Sequence, residues 1–334
     1  MNAMNELQRC AVIGHGSWAT ALVKVLTTNG LPVAWYVRNP EVLESLRSEG
    51  RNCRYLSDVE LDLHGVLLSD DINATLGQSD LVFLVVPAAY LKTYLDDITV
   101  PFADKLVVSA IKGIVPDENR LVTEYLKQRY GLADDRLAFI CGPTHAEEVS
   151  HGRITYLTVA CADLDNAKVV GKTLQTGFIH LSYNKEVRML EFLSVLKNIY
   201  AVMAGIAVGM GYGDNYIAVL ASSCAYEMYH FLKGMHFDLE ENFSSQLGDL
   251  LVSCYSSHSR NRQFGMLIGR GNSVKTALNE MTMVAEGYFA SMAIPKLSEE
   301  QRNMLPIADK VYRILHQGLP ARKAMNDLED KLNT

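Results

Sequence analysis

The 334-residue sequence lacks the cysteine patterns that zinc centres and small disulfide-linked domains require. Its six cysteines are scattered along the chain, and no two of them form a CxxC or CxxxC pair. The sequence therefore predicts neither a metal site nor a disulfide framework. It favours reduced thiols in a cytoplasmic protein.

The sequence also lacks runs of like charge and long apolar segments. Its formal net charge is -7, without a run of five or six like charges, which argues against nucleic acid or an anionic membrane as the main partner. No segment reaches about 18 uninterrupted apolar residues, and Met1 to Arg9 is polar, unlike the apolar core of a signal peptide. We therefore expect a protein that is not membrane-spanning.

The first half of the chain alternates short apolar runs with helical patterns, which is typical of a largely parallel sheet covered by helices on both faces. The predicted strands are Cys10 to Ile13, Val33 to Val37, Val66 to Leu68, Leu81 to Val86, Leu106 to Ser109, Leu137 to Ile140 and Tyr156 to Ala160.

After about Lys185 the strand-like runs give way to long helical patterns, beginning with Glu186 to Gly205 and Tyr216 to Lys233. We therefore predict an α/β fold with two domains. Residues 1–184 would form a Rossmann-like, doubly wound dinucleotide-binding domain, and residues 185–334 an all-helical substrate-binding domain.

The turn Gly14-His15-Gly16-Ser17-Trp18-Ala19 follows the first predicted strand and opens a helix. Gly14 permits the tight turn, Gly16 lets the backbone approach a pyrophosphate, and Ala19 is small enough for the helix to pack on the strand. The helix N-terminus offers unpaired N–H groups to phosphate. This arrangement predicts dinucleotide binding.

The second predicted strand ends in Val37-Arg38-Asn39-Pro40, where a strict NAD enzyme would carry an acidic residue for the adenosine ribose. Arg38 would instead meet a 2′-phosphate or stack on adenine. The sequence thus slightly favours NADP over NAD, although a solvated surface role for Arg38 stays open.

A single ammonium, Lys197, lies in the otherwise uncharged helical run 192–205. Its neighbours three and four residues away carry no carboxylate. A buried ammonium either releases its proton more easily or finds a partner elsewhere in the fold, and both outcomes suit a proton-transferring lysine. The alternative is a lysine that extends its head group to solvent.

Three further segments carry groups suited to chemistry: Ser109-Ala-Ile-Lys112-Gly113, just past a predicted strand; Cys141-Gly142-Pro143-Thr144-His145-Ala146, a tight turn; and a helical region with Asp249 followed by Ser259-Arg260-Asn261-Arg262. The first lies at the sheet edge where doubly wound folds place ligands.

Together these motifs resemble the soluble NAD(P)-dependent glycerol-3-phosphate dehydrogenases, especially the bacterial form. The resemblance covers nearly the whole chain in the right order: GxGSWxTA, Arg38-Asn-Pro, Asn52 to Leu56, SAxKG, CGPTxAxEV, LKNIxAxxAGxxxGxGxGDN, GDLxxxC, SRNRxFG and the AEG at Ala285 to Gly287.

The resemblance implies interconversion of sn-glycerol 3-phosphate and dihydroxyacetone phosphate with NAD(P), supplying the glycerol phosphate backbone of phospholipids. It implies that Lys197 is the general acid/base, with Lys112 as a second lysine whose charge makes Lys197 easier to deprotonate. Asp249 would orient Lys197 and partly offset its charge, and a homodimer is possible by analogy.

The resemblance also implies the binding residues. Those for substrate are Lys112, Gly142, Thr144, Lys197, Asn198, Asp249, Ser259, Arg260 and Asn261. Those for cofactor are Gly14, Gly16, Ser17, Trp18, Arg38, Lys112, Ala146, Arg260, Val284 and Glu286. Arginine and asparagine donors at 260 and 261 suit the substrate phosphate.

Structural alternatives accompany several of these roles. If these residues have no role at the site, Asp249 caps a helix beginning near Leu250 and Arg260 forms an interdomain ion pair. On the same interpretation, Thr144 braces its own turn and Glu286 is a structural hydrogen-bonding group. Departures from the family pattern are His145 in place of phenylalanine, Ser253 in place of threonine, and Ser222-Ser223 in place of an arginine-glycine pair.

Two rival functions remain at the level of sequence. One is a related two-domain dehydrogenase of the β-hydroxyacid type, acting on a β-hydroxy acid, an acyl-CoA or ketopantoate; its hydroxyacyl-CoA form would use a His-Glu pair in place of Lys197. The other is a non-catalytic NAD(P) sensor, which the presence of both lysines, Asp249 and Arg260 disfavours.

Overall fold

The computed structural model describes residues 9–237, 243–329 and 332. Contacts divide them into two compact units. The first runs to Ile111 and resumes over Val122–Arg188, and the second takes Lys112–Leu121 and continues from Met189. This grouping joins the segment around Lys112 to the helical part of the chain, whereas the domain boundary between 184 and 185 stays a prediction.

The first unit is built on an eight-stranded sheet. Its strands are β1 Cys10–Ile13, β2 Val33–Tyr36, β3 Val66–Ser69, β4 Leu81–Leu84, β5 Leu106–Ser109, β8 Leu137–Cys141, β9 Thr155–Cys161 and β10 Ile179–Asn184. Strands β6 Ile114–Val115 and β7 Arg120–Leu121 form a separate antiparallel hairpin in the second unit.

The sheet order is β10-β9-β8-β5-β4-β1-β2-β3, and every neighbouring pair is parallel except β8 with β9. Strands β1, β2, β4 and β5 are buried along their whole length, as expected for a sheet covered on both faces. The predicted Rossmann-like class is confirmed. Strand β10 was missed because an edge strand with exposed His180 gives no continuous apolar run.

The helices of the first unit are α1 Ser17–Thr28, α2 Pro40–Glu49, α3 Ile72–Gly77, α4 Leu91–Leu95, α5 Val122–Tyr130, α6 Ala146–Ser150 and α7 Leu164–Leu174. Two single 3-10 turns, Ala88–Tyr90 and Asp134–Arg136, join them. Helix α2 begins with Asn39 as N-cap and Pro40 at the first position, which is the usual chemistry of a helix start.

The second unit is helical apart from the β6–β7 hairpin, as predicted for the C-terminal part. Its helices are α8 Val187–Gly209, α9 Asp214–Gly234, α10 Phe243–Tyr255, α11 Arg260–Gly269, α12 Val274–Glu280, α13 Glu286–Ser291, α14 Glu299–Asn303, α15 Pro306–Gln317 and α16 Ala321–Glu329, with a 3-10 turn at Ile294–Lys296. Gly213 is the N-cap of α9 and makes no side-chain hydrogen bond to the helix.

Helix α8 is apolar on nearly every side, and most of its 23 residues are buried. By length and composition it is apolar enough to cross a membrane, but 83% of its most apolar window is buried inside the protein. A helix that is hydrophobic all round and packed within a fold is a core helix. Polar groups on α8 are therefore placed in a dry, packed environment.

Helices α8 and α11 cross at glycines spaced four residues apart on both partners. A Cβ at Gly205 would overlap the carbonyl oxygen of Arg262, and one at Gly209 would overlap that of Met266. In return, a Cβ at Gly265 would overlap the carbonyl of Val202. The two backbones thus touch directly, and this contact fixes the N-terminal end of α11 relative to α8.

Candidate active site

Two ammonium groups share one carboxylate in the second unit. Asp249 of α10 accepts from Lys197 Nζ through Oδ1 and from Lys112 Nζ through Oδ2, the latter at 3.0 Å. Lys197 Nζ also lies 3.2 Å from Ser253 Oγ, one turn further along α10. The structure therefore brings together three predicted residues from three separate segments.

Asp249 lies in the middle of α10 and is 1% exposed, so it does not cap a helix beginning near Leu250. Burial disfavours its charged form, but the charges of Lys112 and Lys197 outweigh burial and hold the pKa of Asp249 below its ordinary value. The carboxylate stays ionised and orients both ammonium groups. Ser253, noted as a departure from the family pattern, keeps the hydroxyl that contacts Lys197.

A chain of side-chain amides lies beside the two lysines. Asn198 Nδ2 donates to the carbonyl oxygen of Lys112 at 2.6 Å, and Asn261 Nδ2 donates to Asn198 Oδ1 at 2.9 Å. Asn261 Oδ1 in turn accepts from the backbone N–H of Gly287 at 2.8 Å. Because each bond joins a different segment, Asn198 and Asn261 fix the relative positions of α8, α11 and α13.

The N-terminal end of α11 carries the remaining polar residues predicted for substrate. Ser259 is the N-cap and accepts from the N–H of Arg262 at 3.3 Å, and Arg260 is the first helical residue. A helix N-terminus with an arginine is a favourable place for a phosphate because both offer hydrogen-bond donors to negative charge. Glu286 begins α13, and Val284 lies two residues before it.

The glycine turn of the first unit, predicted to bind the cofactor, has the backbone that its sequence predicted. Gly14 has φ 125° and its carbonyl oxygen accepts from Trp35 Nε1 at 2.6 Å, and a Cβ there would overlap the carbonyl of Val85. Gly16 has no atom within 4 Å of a Cβ position and caps α1 without a side-chain hydrogen bond. Ser17 and Trp18 begin α1. The space at Gly16 and a helix start without a side-chain cap fit a pyrophosphate.

Asn52 supports this turn from a distant loop. It is fully buried, and its Nδ2 donates to the carbonyl of His15 and to Thr20 Oγ1, both at 2.9 Å. Its Oδ1 accepts from the N–H groups of Arg54 and Tyr55. Sequence reasoning gave Asn52 no role of its own, although it begins a segment that the family resemblance covers.

Arg38 lies after β2, as predicted, and its guanidinium carbon is 5.3 Å from the centroid of the Tyr94 ring. The hydroxyl of Tyr94 is 3.2 Å from His15 Nδ1. Burial lowers the pKa of His15, and the charges of Arg54 and Arg38 lower it further. His15 is therefore neutral near pH 7.

The turn after β8 also lies in the first unit. Gly142 has φ 125°, and a Cβ there would overlap the carbonyl of Tyr156. Thr144 Oγ1 donates to the carbonyl of Gly142 at 3.2 Å, which is the bracing role considered for it. His145 is the N-cap of α6 and Ala146 its first residue. Among the described residues, no group of three or more His, Cys, Asp or Glu is arranged to hold a metal ion.

Comparison with known proteins gives a consistent result. The model of the NAD-dependent glycerol-3-phosphate dehydrogenase N-terminus matches residues 9–167, and that of the C-terminus matches residues 186–326. The glycerol-3-phosphate dehydrogenase [NAD(P)+] of Chlorobium limicola is 33% identical over 322 residues, covering 95% of this chain and 96% of that protein. That of Exiguobacterium sp. is 35% identical, covering 92% and 91%.

Solved structures agree with the sequence comparison. The crystal structure of glycerol-3-phosphate dehydrogenase from Coxiella burnetii is 26% identical in sequence and has a TM-score of 0.87. The match covers 96% of this chain and 98% of that one. A ketopantoate reductase from Ralstonia eutropha, one of the rival activities, is 16% identical with a TM-score of 0.54 and shares the fold alone. The chain belongs to the NAD-dependent glycerol-3-phosphate dehydrogenase family.

Proposed function

We propose that this protein interconverts sn-glycerol 3-phosphate and dihydroxyacetone phosphate by hydride transfer with NAD(P). The observation that carries the proposal is the pair of lysines, Lys197 and Lys112, held on the two oxygens of the buried Asp249. Family membership supplies the substrate, and this arrangement supplies a proton donor where a carbonyl is to be reduced.

Lys197 acts as the general acid/base. A nicotinamide bound at the proposed cofactor site would supply or accept the hydride. In the reduction of the ketone, Lys197 Nζ donates a proton to the carbonyl oxygen as negative charge develops there; in the reverse direction it removes the hydroxyl proton. Ser253 and Asp249 hold the ammonium in place on one side of α10. Lys112 adds positive charge that favours the developing alkoxide.

The substrate phosphate binds at the start of α11. Arg260 and Asn261 supply side-chain donors, and the helix N-terminus supplies a favourable dipole. Ser259, Asn198, Gly142 and Thr144 complete the proposed substrate set. Because Asn261 is bonded to Asn198 and Gly287, its position does not depend on the ligand.

The cofactor binds along the turn of the first unit, with the pyrophosphate at Gly14 and Gly16. The remaining proposed contacts are Ser17, Trp18, Arg38, Lys112, Ala146, Arg260, Val284 and Glu286. Arg38 replaces the acidic residue of strict NAD enzymes, which supports a slight preference for NADP.

The proposal extends to the cellular role. A cytoplasmic enzyme with this activity would supply glycerol 3-phosphate for phospholipid synthesis, and it would act as a homodimer like many dehydrogenases. All six cysteines have free thiols, and five of them are buried. Free thiols suit a reducing compartment.

The test is the initial rate of NADPH and NADH oxidation with dihydroxyacetone phosphate, dihydroxyacetone, β-keto acids and ketopantoate. We expect turnover only with the phosphorylated ketone. Turnover of a keto acid in its place would assign the protein to the rival dehydrogenases. Cofactor binding without turnover of any of them would indicate a sensor.

A further inference from the structure

A second arginine lies close to the cofactor turn, on the loop that Asn52 anchors. The N–H of Arg54 donates to Asn52 Oδ1 at 3.2 Å, and Asn52 Nδ2 donates to the carbonyl of His15. Two hydrogen bonds of one buried side chain thus join the backbone at Arg54 to the backbone of the turn. Next along the loop, the ring of Tyr55 has its centroid 6.2 Å from that of His15.

Arg54 and Arg38 approach His15 from different segments. Arg38 stacks over Tyr94, whose hydroxyl contacts His15 Nδ1. Burial lowers the pKa of His15, and the charges of Arg54 and Arg38 lower it further. The rings of Tyr94, which Arg38 covers, and of Tyr55, which follows Arg54 in the chain, have their centroids 6.3 Å and 6.2 Å from that of His15.

The guanidinium of Arg54 is held by Glu41, which accepts from its Nε at 2.8 Å and also from its Nη2. Glu41 lies in the first turn of α2, three residues after Arg38. Both side chains are more than half exposed, and an exposed ion pair contributes little to stability. Arg54 is therefore held at the first turn of α2, which directly follows Arg38 and Asn39, by an ion pair that another anion can replace.

We propose that Arg54 and Arg38 together bind the 2′-phosphate of the adenosine ribose and so select NADPH over NADH. The inference rests on the proposed cofactor site. A phosphate monoester is close to a dianion near pH 7, and its oxygens accept hydrogen bonds from the forked donors of two arginines. Glu41 orients Arg54 in the absence of the phosphate and competes with it in its presence.

The first experiment compares Arg54→Ala with the parent enzyme in steady-state kinetics. We expect the KM for NADPH to rise about tenfold or more while the KM for NADH stays within about twofold. Glu41→Gln should lower the KM for NADPH, because it removes the competing carboxylate.

The matched control is Arg51→Ala. Arg51 lies on the same loop and pairs with Glu60 at 3.0 Å, as Arg54 pairs with Glu41. It has the same charge and no described contact with the cofactor turn, so the two KM values should not change. An equal loss of NADPH affinity in both variants would show a nonspecific effect of charge and would overturn the inference.

A second measurement does not depend on turnover. Calorimetry measures the affinities of the parent, Arg54→Ala and Arg38→Ala for adenosine 2′,5′-bisphosphate and for adenosine 5′-monophosphate. We expect each variant to lose affinity for the bisphosphate alone. Equal loss for both nucleotides would mean that Arg54 stacks on adenine or supports the loop, and unchanged affinity would mean a surface ion pair; either result rejects the inference.

The two proposals fail in different ways. If dihydroxyacetone phosphate is reduced with neither NADPH nor NADH, the proposed function is rejected. The calorimetric comparison of adenosine 2′,5′-bisphosphate with adenosine 5′-monophosphate would still test the role of Arg54. Normal turnover with an unchanged preference between NADPH and NADH in Arg54→Ala would reject only the inference.

Discussion

The two units of this protein assemble their functional residues in different ways. In the first unit, the turn proposed to bind the cofactor is one contiguous segment, Gly14 to Ala19, directly between β1 and the body of α1. In the second unit, Lys112, Lys197 and Asp249 meet although 52 residues or more separate any two of them. The first arrangement follows from local backbone requirements, and the second exists only once the helices have packed.

This difference has an energetic basis. A glycine turn at a helix N-terminus binds phosphate through backbone groups that are available whatever the rest of the chain does. The ammonium of Lys197 and the carboxylate of Asp249 are both buried, and they are tolerated only when their geometry is satisfied together, because each alone carries a large desolvation cost. The second unit should therefore be far more sensitive to single side-chain changes.

The largest expected effect is the loss of activity in Lys197→Met. Removing the proton donor should lower kcat by about 10³-fold while NADPH binding, followed by fluorescence, changes by less than about twofold. The control is Lys310→Met, which removes another buried lysine of the second unit, paired with Asp327 at 3.2 Å. A comparable loss of kcat in the control would mean that any buried lysine is needed for the fold.

The next effect is a loss of stability in Asp249→Asn, which removes the negative charge shared by the buried ammonium of Lys197 and the partly buried ammonium of Lys112. We expect the free energy of unfolding in urea at pH 7 to fall by about 3 kcal/mol. Because the folded pKa of Asp249 lies below its ordinary value of 3.8, its carboxylate stabilises the fold above that pH, and this contribution is lost as the pH falls through the folded pKa. The gap between the two proteins should thus narrow in acid.

The control for Asp249 is Asp165→Asn, which breaks an exposed ion pair with Lys168 in the first unit. The free energy of unfolding should hardly change there. If both substitutions were equally mild, the contrast between the two units would be wrong.

Gly265→Ala tests the crossing of α8 and α11. The added methyl would overlap the carbonyl of Val202, and we expect a loss of about 1–3 kcal/mol in unfolding free energy. Gly77→Ala is the control, since nothing lies within 4 Å of a Cβ there, and it should be neutral or slightly stabilising. Equal stability of the two variants would show that the helices adjust without cost.

Asn52→Ala asks whether the first unit also depends on a distant side chain. We expect the KM values for NADPH and NADH to rise together by about tenfold, since one lost set of hydrogen bonds costs about 1 kcal/mol or more. Asn73→Ala is matched, because Asn73 anchors the loop at Asp97 and Thr99 through the same two amide atoms. Unchanged KM values in Asn52→Ala would mean that the turn binds the cofactor without support from Asn52.

The last effect concerns the pH dependence of stability and involves Glu227, a buried carboxyl that accepts from Tyr200 and from the N–H groups of Ile307 and Ala308. Burial raises its pKa to about 8, against the opposing effect of those donors. A raised folded pKa means that stability is fully present below the ordinary value of 4.5 and is lost as the pH rises towards 8.

Glu227→Gln should therefore flatten the fall in unfolding free energy between about pH 5 and 8, a slope of at most about 1.4 kcal/mol per pH unit. Urea unfolding at three pH values measures it. An identical pH dependence in the variant would mean that Glu227 is ionised throughout this range.

The sequence predicted the sheet class, the helical second half and the cofactor turn because each depends on short-range patterns. Lys197 was recognisable as unusual, since it is a lone charge in an apolar helix, but its partner was not, because nothing in the chain indicates that α10 faces α8. The roles of Asp249 and Arg260 came from family resemblance.

Two features had a sequence signal that does not determine structure by itself. Glycines at 205 and 209 and at 265 and 269 repeat one spacing, yet spacing alone does not show that the two helices face each other. Asn52 is equally ambiguous, because asparagine is common in loops for many reasons. Only the contacts in the folded protein show that the glycines form a helix crossing and that Asn52 supports the turn.

The segment Lys112–Leu121 has a consequence for how such enzymes can be recombined. The chain passes from one unit to the other at 111/112, at 121/122 and at 188/189. A chimaera of two relatives joined at residue 188 would pair Lys112 from one parent with Asn198 and Asp249 from the other. The helical unit is therefore not an exchangeable module, and a successful hybrid must carry residues 112–121 together with everything after 188.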